Sequence, residues 1–160
     1  MHLLQPLLGF LSLAGFTTAQ TPTPPPLTYL YTVNATLGAA LPVGNSPRGN
    51  RAVIPITGGS FKGPAISGKV HNLGADWGLT DAGGTFFADT RYHLETDDGA
   101  HIFIQTNGPA QADGRLHLRI QFETGSGRYY WLNYVVAVGV LRVGDGWVVI
   151  DVWQLVSPPV

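Results

Sequence analysis

After residue 26, short stretches of the chain alternate between apolar and polar positions. In residues 115–124, RLHLRIQFET, two leucines, an isoleucine and a phenylalanine alternate with arginine, histidine, glutamine and glutamate. A period of two is typical of a β-strand that buries one face and leaves the other in water. No stretch there has apolar residues convincingly at helical spacing. The pattern therefore predicts an all-β domain, with strands over 27–36, 51–57, 65–73, 85–96, 100–106, 115–124, 129–141 and 146–156.

The segments between these strands favour tight turns and antiparallel neighbours. They include GNSPRGN, TGGSFKGP, DAGG, NGPAQADG, TGSG and VGDG, and Asp98-Gly99 forms the tip of a predicted hairpin. The stretch YYWLNYVVAVGV is apolar on both faces, so both of its sides must be covered. Closure of the sheet covers one side and removes exposed edges. We therefore expect a single closed or nearly closed antiparallel β-barrel of about eight strands, whose interior fits packed side chains or one small ligand.

The first residues are typical of a secretory signal peptide. Residues 3–15 form an apolar run too short to span a bilayer, and small residues precede a cut near Ala19. The start lacks the usual Lys or Arg, and a buried N-terminal element is the alternative, although TPTPPP cannot continue a helix. The predicted organisation is a signal peptide at 1–19, a Pro-rich linker at 20–26, a barrel at 27–156 and a tail at 157–160.

This organisation predicts a secreted or extracellular protein with no membrane insertion after signal cleavage. In that compartment Asn34, within NAT, becomes a candidate glycosylation site, although the tripeptide often occurs by chance. The chain has no Cys, so neither a disulfide nor a thiol contributes. The sequence leaves open whether the chain forms a homo-oligomer.

Composition narrows the classes of partner and cofactor. Only 12% of residues are charged and the formal net charge is −1, so nucleic acid is not an expected partner. The five histidines and ten acidic residues show no ligand spacing of a known metal motif, and no glycine run matches a phosphate or dinucleotide fingerprint. We therefore expect neither a metal nor another cofactor, and a small molecule as the partner.

Four motifs occur in an order that carries a family resemblance. They are Gly-Gly-x-Phe-x-Gly-Pro at 58–64, Gly-Ala-Asp-Trp at 74–77, Asp-x-Arg ahead of Thr-Asp-Asp-Gly at 89–99, and Trp-Leu-Asn at 131–133. With them the chain resembles, from about residue 27 to 155, the family called domain of unknown function 3237. The resemblance implies a small lipocalin-like antiparallel barrel, and members that sometimes accompany small-molecule biosynthesis. It implies no settled reaction.

Residues 86–99, FFADTRYHLETDDG, place four ionisable side chains on one face of a strand: Asp89, Arg91, His93 and Glu95. One interpretation is a solvated outer face with weak ion pairs, which we favour for His93 and Glu95. For Asp89 and Arg91 the family motif favours an inward polar cluster. There, Asp89 acts as a catalytic base and Arg91 stabilises the resulting oxyanion.

The other candidate residues lie in two motifs. Asp76 is a candidate base and Trp77 a stacking wall at a pocket mouth. The alternative is a turn in which Asp76 caps backbone amides and Trp77 plugs the barrel. His71 could approach the same place or be a surface or packed residue. On the strand predicted over 129–141, Asn133 binds either backbone or substrate, and Tyr134 donates a proton or packs in the core.

Two functions fit these residues. The first is a cofactor-independent isomerase or cyclase that acts by acid–base chemistry on a small oxygenated metabolite, with Asp76, Asp89 and Arg91 as catalytic residues. The substrate-binding residues are then Trp77, Asn133, Tyr134 and His71. The alternative is a secreted lipocalin-like protein that binds a small apolar or aromatic ligand without changing it.

Overall fold

Between residues 21 and 158 the fold is built from ten strands and one short helix. The computed structural model describes residues 21–158, so the predicted signal peptide lies outside the described residues, as do Gln20 of the predicted linker and the last two residues of the predicted tail. The strands are β1 (Leu27–Leu37), β2 (Leu41–Ser46), β3 (Gly49–Lys62), β4 (Ser67–Asp76), β5 (Leu79–Thr80), β6 (Phe86–Thr96), β7 (His101–Pro109), β8 (Leu116–Glu123), β9 (Ala137–Val143) and β10 (Trp147–Leu155). A 3-10 helix spans Tyr130–Tyr134.

Eight of the strands close into an antiparallel barrel, as the alternation predicts. Their order around the barrel is β1-β10-β9-β8-β7-β6-β4-β3, and β3 returns to pair with β1. Closure leaves no free edge within this ring of strands. The two remaining strands lie outside the ring: β2 pairs with the first half of β3, and β5 pairs with β3 and β6.

The predicted strand over 129–141 is wrong in its first half. The chain forms the 3-10 helix there, and β9 starts only at Ala137. The Asn133 side chain explains the turn, because its Oδ1 accepts a hydrogen bond from the backbone N–H of Thr124, at 2.9 Å. Its Nδ2 donates to the carbonyl oxygens of Thr124 and Tyr130. An amide satisfied in this way ties the helix to the end of β8.

The helix seals one end of the barrel. Leu132 is fully buried within the hydrophobic core and Tyr129 is nearly so. The Tyr129 hydroxyl donates a hydrogen bond of 2.9 Å to Asp98, and Arg128 pairs with the same carboxylate at 2.9 Å. Asp98 therefore has two roles: it forms the predicted hairpin turn between β6 and β7, and it holds the sealing segment in place.

Closure of the barrel depends on a glycine. Gly59 pairs with Ala35 where β3 meets β1, and its φ is +137°. A Cβ atom at this position would overlap the carbonyl oxygen of Asn34. The second glycine of the Gly-Gly-x-Phe motif is therefore required by backbone contact rather than by chemistry.

Replacing Gly59 by Ala is expected to lower the free energy of unfolding by more than about 1 kcal/mol, because the residue must move out of a positive-φ conformation and push β1 away. Urea denaturation measures the change. The matched control is Gly125→Ala, where a Cβ atom meets nothing within 4 Å. Equal stability of the two variants would show that β1 and β3 tolerate a wider separation.

Candidate active site

The barrel contains a cavity of about 380 Å³ at the end opposite the sealing helix. It lies where β1 and β9 end and where β6 and β10 begin, and it is lined by Val33, Ala35, Leu37, Ile54, Ile56, Asp76, Phe86, Thr90, Tyr92, Thr106, Ala110, Gly114, Leu116, Leu141, Val143, Val148 and Ile150. Its volume is in the range of small-molecule sites. The lining is mostly aliphatic, so the few polar groups determine what chemistry can occur there.

Asp76, the last residue of β4, contributes a carboxyl group to this cavity. Its Oδ1 accepts a hydrogen bond of 2.8 Å from the backbone N–H of Asp89, and it also interacts with the side chain of Thr90. Burial raises the pKa of Asp76, the two hydrogen bonds lower it by less, and the nearby Asp89 charge raises it again. A carboxyl group that keeps its proton to higher pH can act as a general acid.

The polar groups of the cavity lie on one side. Thr90 is the cross-strand neighbour of Asp76, and Thr106 is the neighbour of Thr90, so the three residues form a row across β4, β6 and β7. Tyr92 follows Thr90 on the same face of β6. We call Asp76, Thr90, Tyr92 and Thr106 the polar wall; the strands opposite contribute only apolar side chains. A substrate with one oxygenated edge and one hydrocarbon edge matches this division.

Two tyrosine hydroxyl groups, those of Tyr31 and Tyr92, are buried without a hydrogen-bond partner among residues 21–158. Burial raises the pKa of both phenols. The two hydroxyls also influence each other, which raises the pKa of Tyr31 further and lowers that of Tyr92 by less than burial raises it, so both are neutral. Leaving a buried hydroxyl unpaired costs about 1–3 kcal/mol. Tyr92 is one of the residues that line the cavity, although its hydroxyl oxygen is itself buried.

The prediction that Asp89 and Arg91 face the interior is wrong. They pair with each other at 3.0 Å, their side chains are 44% and 41% exposed, and neither lines the cavity. Alternation along β6 is the reason. Ala88, Thr90 and Tyr92 point into the barrel, so Asp89 and Arg91, which alternate with them, point outward. An exposed pair of this kind contributes little to stability.

Trp77 also lies outside the cavity. The Arg91 guanidinium sits 5.7 Å from the centre of its ring, and the Trp77 carbonyl oxygen accepts a hydrogen bond of 2.5 Å from Arg51. Trp77 therefore neither stacks on a ligand in this cavity nor plugs the barrel. Of the Asp76–Trp77 pair, only the carboxyl group reaches the cavity.

The remaining sequence candidates lie on the outer surface. The Asn133 side chain binds backbone, which is the first of its two predicted roles. Tyr134 is 77% exposed on the 3-10 helix, so it does not pack in the core. The Nε2–H of His71 donates a hydrogen bond of 2.8 Å to the Glu95 carboxylate, outside the cavity. Asn34 is exposed on β1, and its glycosylation stays a prediction.

A family model described as protein of unknown function, DUF3237, matches residues 25–155. The chain belongs to this family. One relative is a UPF0311 protein of Rhodopseudomonas palustris. It is 33% identical to this chain, and the alignment covers 79% of this chain and 94% of the relative. Another is the hydroalkoxylation enzyme phnH of Penicillium herquei, 35% identical over 74% of this chain and 75% of the relative.

Solved structures share the barrel of this DUF3237 protein. A beta-barrel like protein from Acinetobacter baumannii is 37% identical, with a TM-score of 0.80 over 86% of this chain and all of the other. An enzyme from Penicillium herquei is 30% identical, with a TM-score of 0.75 over 87% of this chain and all of the other. In the described part of the chain, no helix has the length and apolar character needed to cross a bilayer.

Three polar residues of this DUF3237 cavity, Thr90, Tyr92 and Thr106, were not candidates from the sequence. Neither was Tyr31, a buried neighbour of Tyr92. The signal for Tyr92 was present, because it alternates with Asp89 and Arg91 on the same face as Leu94. Thr90 was hidden because threonine is common in strands whether it is inside or outside. Tyr31 gave no chemical signal beyond its place in an apolar strand.

Proposed function

We propose that this chain is a cofactor-independent cyclase that adds a hydroxyl group of a small, largely apolar substrate across a carbon–carbon double bond of the same molecule. One observation carries the proposal: a carboxyl group with a raised pKa, that of Asp76, opens into an otherwise apolar cavity. The name of the Penicillium herquei relative, a hydroalkoxylation enzyme, supports the reaction class. Ring closure of this kind moves a proton and no net electrons, so it requires no redox partner.

The residues of the polar wall can supply and take back the proton that this reaction requires. Neutral Asp76 donates its proton to one alkene carbon, the substrate hydroxyl oxygen bonds to the other, and the hydroxyl proton passes to the Asp76 carboxylate. The product has the elemental composition of the substrate, and Asp76 regains its proton. The hydroxyl of Tyr92 pairs with a substrate oxygen, while the apolar strands hold the hydrocarbon part close to the reacting atoms.

Incubation with phenols that carry an ortho alkenyl chain tests the proposal. We expect one stereoisomer of a ring-closed ether of unchanged mass, and in deuterated water one deuterium at the carbon that receives the proton. Chiral chromatography, mass spectrometry and nuclear magnetic resonance identify the product. Recovery of every member of a panel of such phenols unchanged, or a racemic product at the uncatalysed rate, contradicts the proposal.

The aliphatic lining also favours a second candidate, a protein that binds an apolar ligand without catalysis. The same incubation separates the two functions. A phenol that binds tightly and is recovered unchanged after prolonged incubation supports the binding protein, whereas a ring-closed product supports the cyclase.

Replacing Tyr92 by Phe is expected to leave the free energy of unfolding unchanged or to raise it by up to about 1 kcal/mol, because the variant removes an unpaired buried hydroxyl. At the same time kcat/KM falls by about 3–10-fold, since one hydrogen bond to the substrate is lost. Urea denaturation and steady-state kinetics measure the two effects. A clear loss of stability would show that the hydroxyl has a partner within the protein.

Turnover is expected to decrease as the pH rises through the pKa of Asp76, because the neutral carboxyl group is the acid. Burial raises this pKa, so the active form persists to higher pH than an ordinary aspartic acid would allow. Asp89→Asn removes a negative charge that raises the Asp76 pKa. The decrease in kcat is therefore expected at lower pH, with the maximal kcat at low pH unchanged. The profile of kcat against pH tests this shift; a shift to higher pH would argue against Asp76 as the acid.

A further inference from the structure

Three of the five histidines lie together on the outer surface of the barrel, on strands β4, β6 and β7. His71, His93 and His101, with Glu95, form what we call the outer histidine cluster. None of the four lines the cavity, and the proposed cyclase chemistry uses none of them. The cluster therefore needs an explanation of its own.

The side chains are close enough to share one ion. The ring centres of the three histidines are 5.1–5.6 Å apart. The Nε2 atom of His93 lies 3.1 Å from Nδ1 of His101, and Nε2 of His71 lies 2.8 Å from the Glu95 carboxylate. One donor atom from each of His71, Glu95 and His101 lies within 4.8 Å of the other two. Ligands of a tetrahedral zinc ion are about 3.3 Å apart, so small side-chain rotations suffice.

The barrel fixes the positions from which these side chains extend. Glu95 and His101 are direct cross-strand partners, and the same hairpin pairs His93 with Phe103. Paired positions of this kind hold Cβ atoms about 4.5–5.5 Å apart. Because the ligands come from three hydrogen-bonded strands instead of one loop, binding an ion requires little ordering of the backbone.

One competitor must move. The Lys69 ammonium lies 3.0 Å from the Glu95 carboxylate oxygen that faces His71. Its side chain is 60% exposed and extends from the same strand as His71, so it can rotate into solvent at small cost. The three imidazoles have no such competitor among the described cations. A site of three imidazoles and one carboxylate offers the nitrogen and oxygen donors that zinc accepts.

We propose that the outer histidine cluster binds a divalent transition-metal ion of the zinc class, with His71, Glu95 and His101 as ligands and His93 as the fourth. The ion links β4, β6 and β7 from outside the barrel. It lies on the opposite face of the wall from the cavity, so its role is structural and the proposal stands independently of the cyclase reaction.

Titration of zinc into the full untagged chain, first stripped of metal with a chelator and dialysed, tests the site. We expect one ion per chain with a dissociation constant in the micromolar range or tighter, measured by calorimetry, and saturating zinc to raise Tm by about 5–10 °C. Cobalt(II) in place of zinc is expected to give the strong visible absorption of a four-coordinate site.

Variants identify the ligands. His101→Asn and His71→Asn are each expected to weaken zinc binding at least 100-fold and to abolish the rise in Tm. His117→Asn, which changes an exposed histidine of β8 outside the cluster, is the matched control and keeps full affinity. Circular dichroism of the metal-free variants shows that they fold. Affinity equal to that of the parent chain in both cluster variants, or no binding by the parent chain below about 1 mM zinc, overturns the proposal.

Discussion

Replacing Asp76 by Asn is expected to lower the kcat for ring closure of the alkenyl phenol by about 10²–10⁴-fold, the range that general acid–base catalysis supplies. The amide keeps an oxygen that can accept the hydrogen bond from the backbone N–H of Asp89, so the end of β4 keeps its conformation. What is lost is the transferable proton. Steady-state kinetics with a folded variant measure the effect.

Asp89→Asn is the matched control for this result. It changes a carboxylate two residues from Arg91 on the outer face, outside the cavity. Its maximal kcat is expected to stay within about 2-fold of the parent, apart from the shift along the pH axis, because an exposed ion pair contributes little. A large loss of kcat in Asp89→Asn together with full activity in Asp76→Asn would show that the catalytic carboxyl group is on the outer face of β6.

Replacing Leu132 by Ala is expected to lower the free energy of unfolding by about 2–5 kcal/mol, the usual cost of removing a fully buried leucine side chain. The loss is expected in the upper part of that range if the 3-10 helix cannot move to fill the cavity that the substitution creates. The hydrogen bonds between the Asn133 side chain and the Thr124 backbone, and from the Tyr129 hydroxyl to Asp98, fix the position of the helix and oppose such movement. Urea denaturation at constant pH measures the loss.

Tyr134→Ala serves as the control because it changes the same helix at a position that is 77% exposed. Its stability is expected to stay within about 0.5 kcal/mol of the parent chain. If the two variants lost equal stability, the helix as a whole would be responsible and not the insertion of Leu132 into the core.

The barrel could be predicted from the alternation of apolar and polar residues. Which side chains face the interior has to be decided strand by strand, from the set that is apolar. Residues 115–124 present a clear apolar face, and β8 buries it as expected. Along β6 the apolar set includes Ala88, Tyr92 and Leu94, all buried, which is enough to place Asp89 and Arg91 outside. The family motif favoured the opposite orientation, and the periodicity of the strand proved the better guide.

Two features outside the cavity depend on contacts between residues that are not adjacent in the sequence, so no short motif predicts them. The 3-10 helix forms because Asn133 finds the backbone of Thr124, nine residues earlier. The outer histidine cluster assembles from three strands, so its ligands have no characteristic spacing in the sequence. The position of Asp76 beside the cavity could be predicted, because its carboxylate lies between two glycines, Gly74 and Gly78, at the end of a strand.

Within the described residues, Leu132 fills the far end of the barrel, so the reactant and product of the proposed ring closure would share the open end. A ring-closed isomer is nearly as apolar and as large as its precursor, and therefore competes for the same chamber. Progress curves should accordingly slow long before the reactant is exhausted, because the accumulating product occupies the cavity.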